Sequence, residues 1–190
     1  MYIPANSVLV VIDMQNDFLD PAGTLYLGTK TPATLQYAID RTIDAINAFK
    51  ETNETIIVVR DTHSPADEEF DLFPVHCVKY TWGHELYPAI EEALGTYRYI
   101  RKSKHRLNAA PFIIHDLVYG PVFDNVYLAG VAYDICVATT AVGLMEWYKG
   151  KNITIIKDAT VSYNIGWEFT VKEMLTELYG INHMSIGGLV

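Results

Sequence analysis

Cysteine is scarce: two residues in 190 cannot build a disulfide framework, and such sparing use fits a reducing, cytoplasmic compartment. Positive charge is scarce too, with 14 Lys and Arg against 23 Asp and Glu and a formal net charge of −9. No basic stripe runs along the chain, so neither nucleic acid nor an anionic membrane surface is an expected partner. Long apolar runs are missing. The one near the N-terminus stops at Asp13, far short of the roughly 20 residues a membrane span requires. No basic segment precedes it as in a signal peptide. Repeats, low-complexity tracts and Pro/Gly linkers are missing as well. What remains is 50% apolar and 19% charged, over a length typical of one domain. A single folded domain over residues 1–190 is expected, and disorder is excluded.

Short β-branched runs alternate with helical patterns. Strands are predicted at Ser7–Ile12, Thr55–Arg60, Tyr97–Arg101, Asn125–Gly130 and Asn152–Lys157, with a weaker one at His183–Ile186. The nearly continuous apolar runs VLVVI, TIIVV and ITII read as strands covered on both faces. Ile39, Ile43, Ile46 and Phe49 mark a helix over Thr34–Lys50; Val137, Ala141, Leu144, Met145 and Tyr148 mark one starting near Cys136. A third, Trp167–Tyr179, places Val171, Leu175 and Leu178 on one face. This βαβ rhythm predicts an α/β fold, a three-layer α/β/α sandwich around a doubly wound, mostly parallel sheet. Only Asp61–Pro88 breaks the rhythm. A long irregular stretch in a compact α/β domain is usually functional.

In such sheets ligands bind beyond the carboxyl ends of the strands. Asp13 ends the first strand, as a turn former or as a half-buried carboxylate suited to proton transfer. Asp61, His63, Glu69 and His76 follow the second, either a polar surface loop or a divalent-metal set. Zinc accepts imidazole nitrogen and carboxylate oxygen, and manganese or iron would take the same set with added water. Cys77 beside His76 reads as a small buried residue. The third strand runs into Arg101, Lys102, Lys104, His105 and Arg106, a solvated basic turn from which one cation could enter an acidic pocket. Cys136 sits at a strand-to-helix turn, where a helix N-terminus lowers a thiol pKa and free backbone N–H groups can hold an oxyanion. The plainer alternative is a buried structural cysteine.

Five motifs in order, VLVVIDMQNDF, VVRDTH, FPVHCV, KHRLNA and LAGVAYDICVATTA, resemble the isochorismatase-like cysteine hydrolase superfamily, and within it the nicotinamidase/pyrazinamidase branch. The resemblance implies a catalytic set of Asp13, Lys104 and Cys136. It also implies a cis peptide at Val131–Ala132 and an oxyanion hole from the N–H groups of Ala132 and Cys136. Asp61, His63 and His76 would hold a divalent metal, zinc first and manganese or iron otherwise. Glu69 stands at the position of the fourth ligand, with its acidic neighbours Asp67 and Glu68 as the alternatives. The expected activity is hydrolysis of a small carboxamide, nicotinamide to nicotinate and ammonia through a thioester. Phe18, Phe73 and Tyr133 are the expected pocket walls, and homo-oligomers are common in the family. Tyr133 replaces the usual Thr, Leu107 replaces an aromatic, and Tyr80-Thr81-Trp82-Gly83 replaces a G-T-x-G turn. Two alternatives stay open: a metal-free relative acting on another amide or ureido compound, and a silent ligand-binding paralogue.

Overall fold

The structure, a computed structural model, describes residues 2–29, 32–119, 123–148 and 150–186. Six strands are present among the described residues: β1 Ser7–Ile12, β2 Thr55–Asp61, β3 Ile100–Lys104, β4 Asn125–Val131, β5 Asn152–Val161 and β6 Asn182–Met184. All pair in parallel, in the order β3-β2-β1-β4-β5-β6. The helices are α1 Asn16–Leu19, α2 Pro32–Glu51, α3 Pro88–Leu94, α4 Ala110–Tyr119, α5 Ala138–Trp147 and α6 Glu168–Glu177. None of the described helices is long and apolar enough to cross a membrane.

The apolar strands are buried on both faces, as their sequences require. Successive side chains of a strand point to opposite sides. Leu9, Val11, Ile56 and Val58 therefore pack with Leu35, Ile39, Ile46 and Phe49 of α2 and with Ile90 and Leu94 of α3. Val8, Val10, Ile12, Ile57 and Val59 pack on the other side with Ile113 and Leu117 of α4, Ala141 and Leu144 of α5, and Leu175 of α6. The result is the expected three-layer sandwich.

Several boundaries differ from the sequence reading. The third strand lies at Ile100–Lys104 rather than Tyr97–Arg101. It is a sheet edge, where alternate exposed charges are tolerated, so Arg101 and Ser103 face out and the segment lacks the apolar signature of a central strand. Leu178 is exposed and lies past the end of α6, so only Leu175 fully buries that helix's inner face. Helices α3 and α4 lie outside the helices expected from the sequence, and each carries a proline. Both prolines lie in the first turn, where the missing N–H has no intrahelical partner to lose.

The strand order reverses between β1 and β4, which opens a crevice at their carboxyl ends. The two strands approach so closely there that a Cβ on Gly130 would sit 2.0 Å from the Ile12 carbonyl oxygen, and Gly130 also has φ +115. No other residue fits this junction without moving one of the strands.

Candidate active site

The ends of four adjacent strands supply the site. Asp13 follows β1 in the left-handed region (φ 55), with its N–H donated to the Val59 carbonyl at 3.0 Å. Asp61 closes β2 and Lys104 closes β3, the two being register partners. Cys136 lies beyond β4 in a single wide turn, Tyr133–Val137, that runs into α5. The Val131–Ala132 peptide before that turn is cis.

Asp13, Lys104 and Asp61 are almost completely buried. Lys104 Nζ lies 2.9 Å from Asp13 Oδ2, 3.2 Å from Asp61 Oδ1 and 3.7 Å from Cys136 Sγ. One ammonium thus serves two carboxylates and the thiol. Burial alone would lower the Lys104 pKa, but Asp13, Cys136 and Asp61 together hold it well above the usual lysine value. Burial raises the Asp13 pKa to about 6, with Lys104 opposing and Asp61 adding to the rise. Burial also pushes the Cys136 thiol well up, with Lys104 opposing and Asp13 and Asp61 adding to the rise. The helix-start expectation of a ready thiolate is therefore not met. The thiol keeps its proton at rest, beside a carboxylate able to take it.

Asp61 joins this trio to a second cluster. Its Oδ2 lies 3.1 Å from His63 Nε2 and 3.3 Å from His76 Nε2, while Glu69 Oε1 is 3.9 Å from both imidazoles. One donor atom from each of Asp61, His63, Glu69 and His76 falls within 4.8 Å of the others, a spacing a single ion can bridge. His76 Nδ1 faces the Pro74 carbonyl at 2.7 Å, so the proton belongs on Nδ1 and the Nε2 lone pair turns to the cluster. His63 Nε2 is buried without an aligned hydrogen-bond partner, as a ligand nitrogen would be. Burial works against a charge on His63, yet contact with Asp61 and the charges of Asp67 and Glu69 raise its pKa to about 9. Lys104 and both imidazoles overcome the effect of burial and hold Asp61 well below the carboxylate range. The donor set is crowded with negative charge and fits a divalent cation.

The D-M-Q-N-D-F stretch does more than the sequence revealed. Gln15 is fully buried and clamps the backbone of Asp61, accepting from its N–H at 2.7 Å and donating to its carbonyl at 2.9 Å. Asn16 donates to the Trp82 carbonyl at 2.9 Å. Asp17 Oδ2 accepts the Cys77 N–H at 2.7 Å, and a Cβ on Gly83 would strike that carboxylate. Three successive polar side chains therefore pin the irregular 61–88 stretch to the end of β1. Their signal was the run of buried polar types directly after an apolar strand. Cys77 is buried with its thiol pKa raised by burial, consistent with a packing role.

A narrow cleft opens over Cys136. Asp61, Glu69 and His76 form its polar floor, and Phe18, Phe73, Leu107, Ile135 and Tyr163 are among its walls, with Ala132 beside the thiol. Phe18 and Phe73 stand where expected, both edge-on to His76. Tyr133 does not line the cleft. Its ring is buried on the far side of the turn, with its hydroxyl 3.0 Å from His183 Nε2 and Lys157 Nζ 4.4 Å from the ring centroid. Residue parity in a turn cannot be read as in a strand, so neighbouring Ile135 takes the wall position. Tyr163 comes from the loop after β5, which runs four residues beyond the strand end expected at Lys157. Asp134 carries that loop, accepting the Tyr163 and Asn164 N–H groups at 2.7 and 2.8 Å.

Residues 7–183 match the isochorismatase domain. The nicotinamidase of Saccharomyces cerevisiae is 28% identical over 200 residues, spanning 80% of this chain and 86% of that protein. The nicotinamidase of Acinetobacter baylyi is 28% identical over 214 residues, spanning 95% of this chain and 92% of that protein. The crystal structure of nicotinamidase/pyrazinamidase from Bacillus subtilis matches with a TM-score of 0.82 at 26% identity, over 95% of this chain and all of that one. Sequence motifs, strand order, site geometry and these matches agree: the chain belongs to the isochorismatase family, in its branch of nicotinamidase-like amidohydrolases.

Proposed function

We propose that the protein hydrolyses nicotinamide to nicotinate and ammonia, with Cys136 as nucleophile, Asp13 as the acid and base, and Lys104 as the charge that holds them together. The observation that carries this reading is the single ammonium of Lys104 between Asp13, Asp61 and the Cys136 thiol. A divalent ion on Asp61, His63, Glu69 and His76 would supply a Lewis-acid anchor for the ring nitrogen. Zinc suits two imidazoles and two carboxylates best, with manganese or iron as the alternatives.

The chain's own groups account for the chemistry. Phe18, Phe73 and Tyr163 offer apolar faces to a flat ring, which excludes water from the reacting carbonyl. Asp13 takes the thiol proton as Cys136 Sγ attacks the amide carbon. Lys104 offsets the negative charge that stays in the buried trio. Ala132 and Cys136 line the cleft, and their N–H groups would hold the oxyanion. Asp13 then gives its proton to the leaving nitrogen, the C–N bond breaks, and ammonia departs from a thioester. The same carboxylate activates the water that cleaves the thioester and frees nicotinate.

Asp13 must be ionised to accept the thiol proton, so its raised pKa sets an acid limb. Ammonia release from nicotinamide should give a kcat/KM that is full above about pH 6 and falls as pH drops through that value. An acid limb at the ordinary aspartate pKa would contradict Asp13 as the base. Steady turnover of ureido compounds with none of nicotinamide would contradict the substrate.

A further inference from the structure

Two of the four donor residues are each held by one neighbour already described, Asp61 by Gln15 and His76 by the Pro74 carbonyl. Asp67 differs because one carboxylate reaches the other two. It precedes the tight helical turn Glu68–Asp71, and its Oδ1 caps that turn by accepting the Glu69 N–H at 3.0 Å. Its Oδ2 lies 3.1 Å from His63 Nδ1, oblique to the ring's N–H axis. The first contact fixes the backbone from which Glu69 projects. The second sets a carboxylate charge beside Nδ1, which favours a proton on that nitrogen over Nε2 once an ion takes the Nε2 side, the way an outer carboxylate sets a ligand imidazole.

We infer that Asp67 is a positioning residue that presets both His63 and Glu69 for the divalent ion, on the metal-site reading given above. It touches neither the substrate cleft nor the Cys136 trio, and it lies on a partly exposed loop, so its replacement leaves the core intact. The two halves of its role separate chemically. Asp67→Asn keeps an oxygen able to cap Glu69, since Asn caps as well as Asp, but removes the charge beside His63. Asp67→Ala removes both contacts.

The test is zinc affinity, read by titrating the zinc-loaded full-length protein with a chromophoric chelator, with thermal melting of each variant as the control for folding. Asp67→Ala should weaken zinc binding by about 10- to 100-fold, and Asp67→Asn by a smaller factor within that range. Zinc affinity of Asp67→Ala within about twofold of wild type would overturn the inference. Wild-type affinity in Asp67→Asn alone would overturn the His63 half and leave the cap. A wild-type protein that holds no zinc, manganese or iron would instead overturn the metal site itself, whatever the variants do.

Discussion

Cys136→Ala should abolish amide hydrolysis, lowering kcat by at least about 10⁴-fold, the scale on which removing a covalent nucleophile acts in hydrolases. Its metal content and melting temperature should stay close to wild type. The thiol lies in the wide turn after β4, is not one of the donors in the His63, His76, Asp61 and Glu69 cluster, and is joined to it through Lys104. Removing one sulfur from a buried site also leaves both carboxylates their ammonium partner. Residual turnover within about tenfold of wild type would exclude Cys136 as the nucleophile. Loss of metal with the thiol would show that the two halves of the site are not separate in function. Ammonia release and metal analysis on the same preparation distinguish these results.

Lys104→Met should damage both stability and turnover. The methionine fills much of the lysine's volume but leaves Asp13 and Asp61 without the cation 2.9 and 3.2 Å away. Both carboxylates are shut off from water. Removing one partner of a buried charge set costs about 3–5 kcal/mol, because the remaining charges are neither solvated nor paired. For a domain of this length that corresponds to a fall in melting temperature of roughly 10 °C. Turnover should fall as well, since nothing would then offset the charge on Asp13 and the developing thiolate. The variant should melt closer to wild type when metal is bound, because a divalent cation compensates Asp61. An unchanged melting temperature in metal-stripped protein would contradict the view that Lys104 neutralises the site. A surface pair such as Arg106 and Glu68, 3.9 Å apart and largely exposed, is the contrasting case in which little change is expected.

The parts of the site that lie at strand ends were legible in the sequence because a continuous apolar strand announces where it stops. Asp13 and Asp61 were found this way, and Cys136 by its place at the helix start that follows the fourth strand. Lys104 was placed beyond its strand, whereas it is the strand's last residue. An edge strand that alternates exposed charges carries no apolar run from which to count. The electrostatics were less legible than the positions. A helix start argues for a lowered thiol pKa, but burial and two carboxylates reverse the sign, and burial is a property of the whole fold. Gln15, Asn16 and Asp17 carry no sequence signal of their partners, because each binds a different part of the 61–88 stretch that lies far away along the chain. The walls Ile135 and Tyr163 come from turns, where side-chain direction follows backbone detail that no periodicity encodes.

The central claim joins a metal cluster and a cysteine trio into one nicotinamide-hydrolysing site through Asp61 and Lys104. The most direct test is ammonia release from nicotinamide by the purified protein as prepared, after chelation, and after adding back zinc, manganese or iron. The account predicts turnover that is lost on chelation and restored by at least one of these ions. Turnover that survives complete removal of metal would contradict it, and so would a fully metallated protein with a reactive Cys136 that releases no ammonia from nicotinamide.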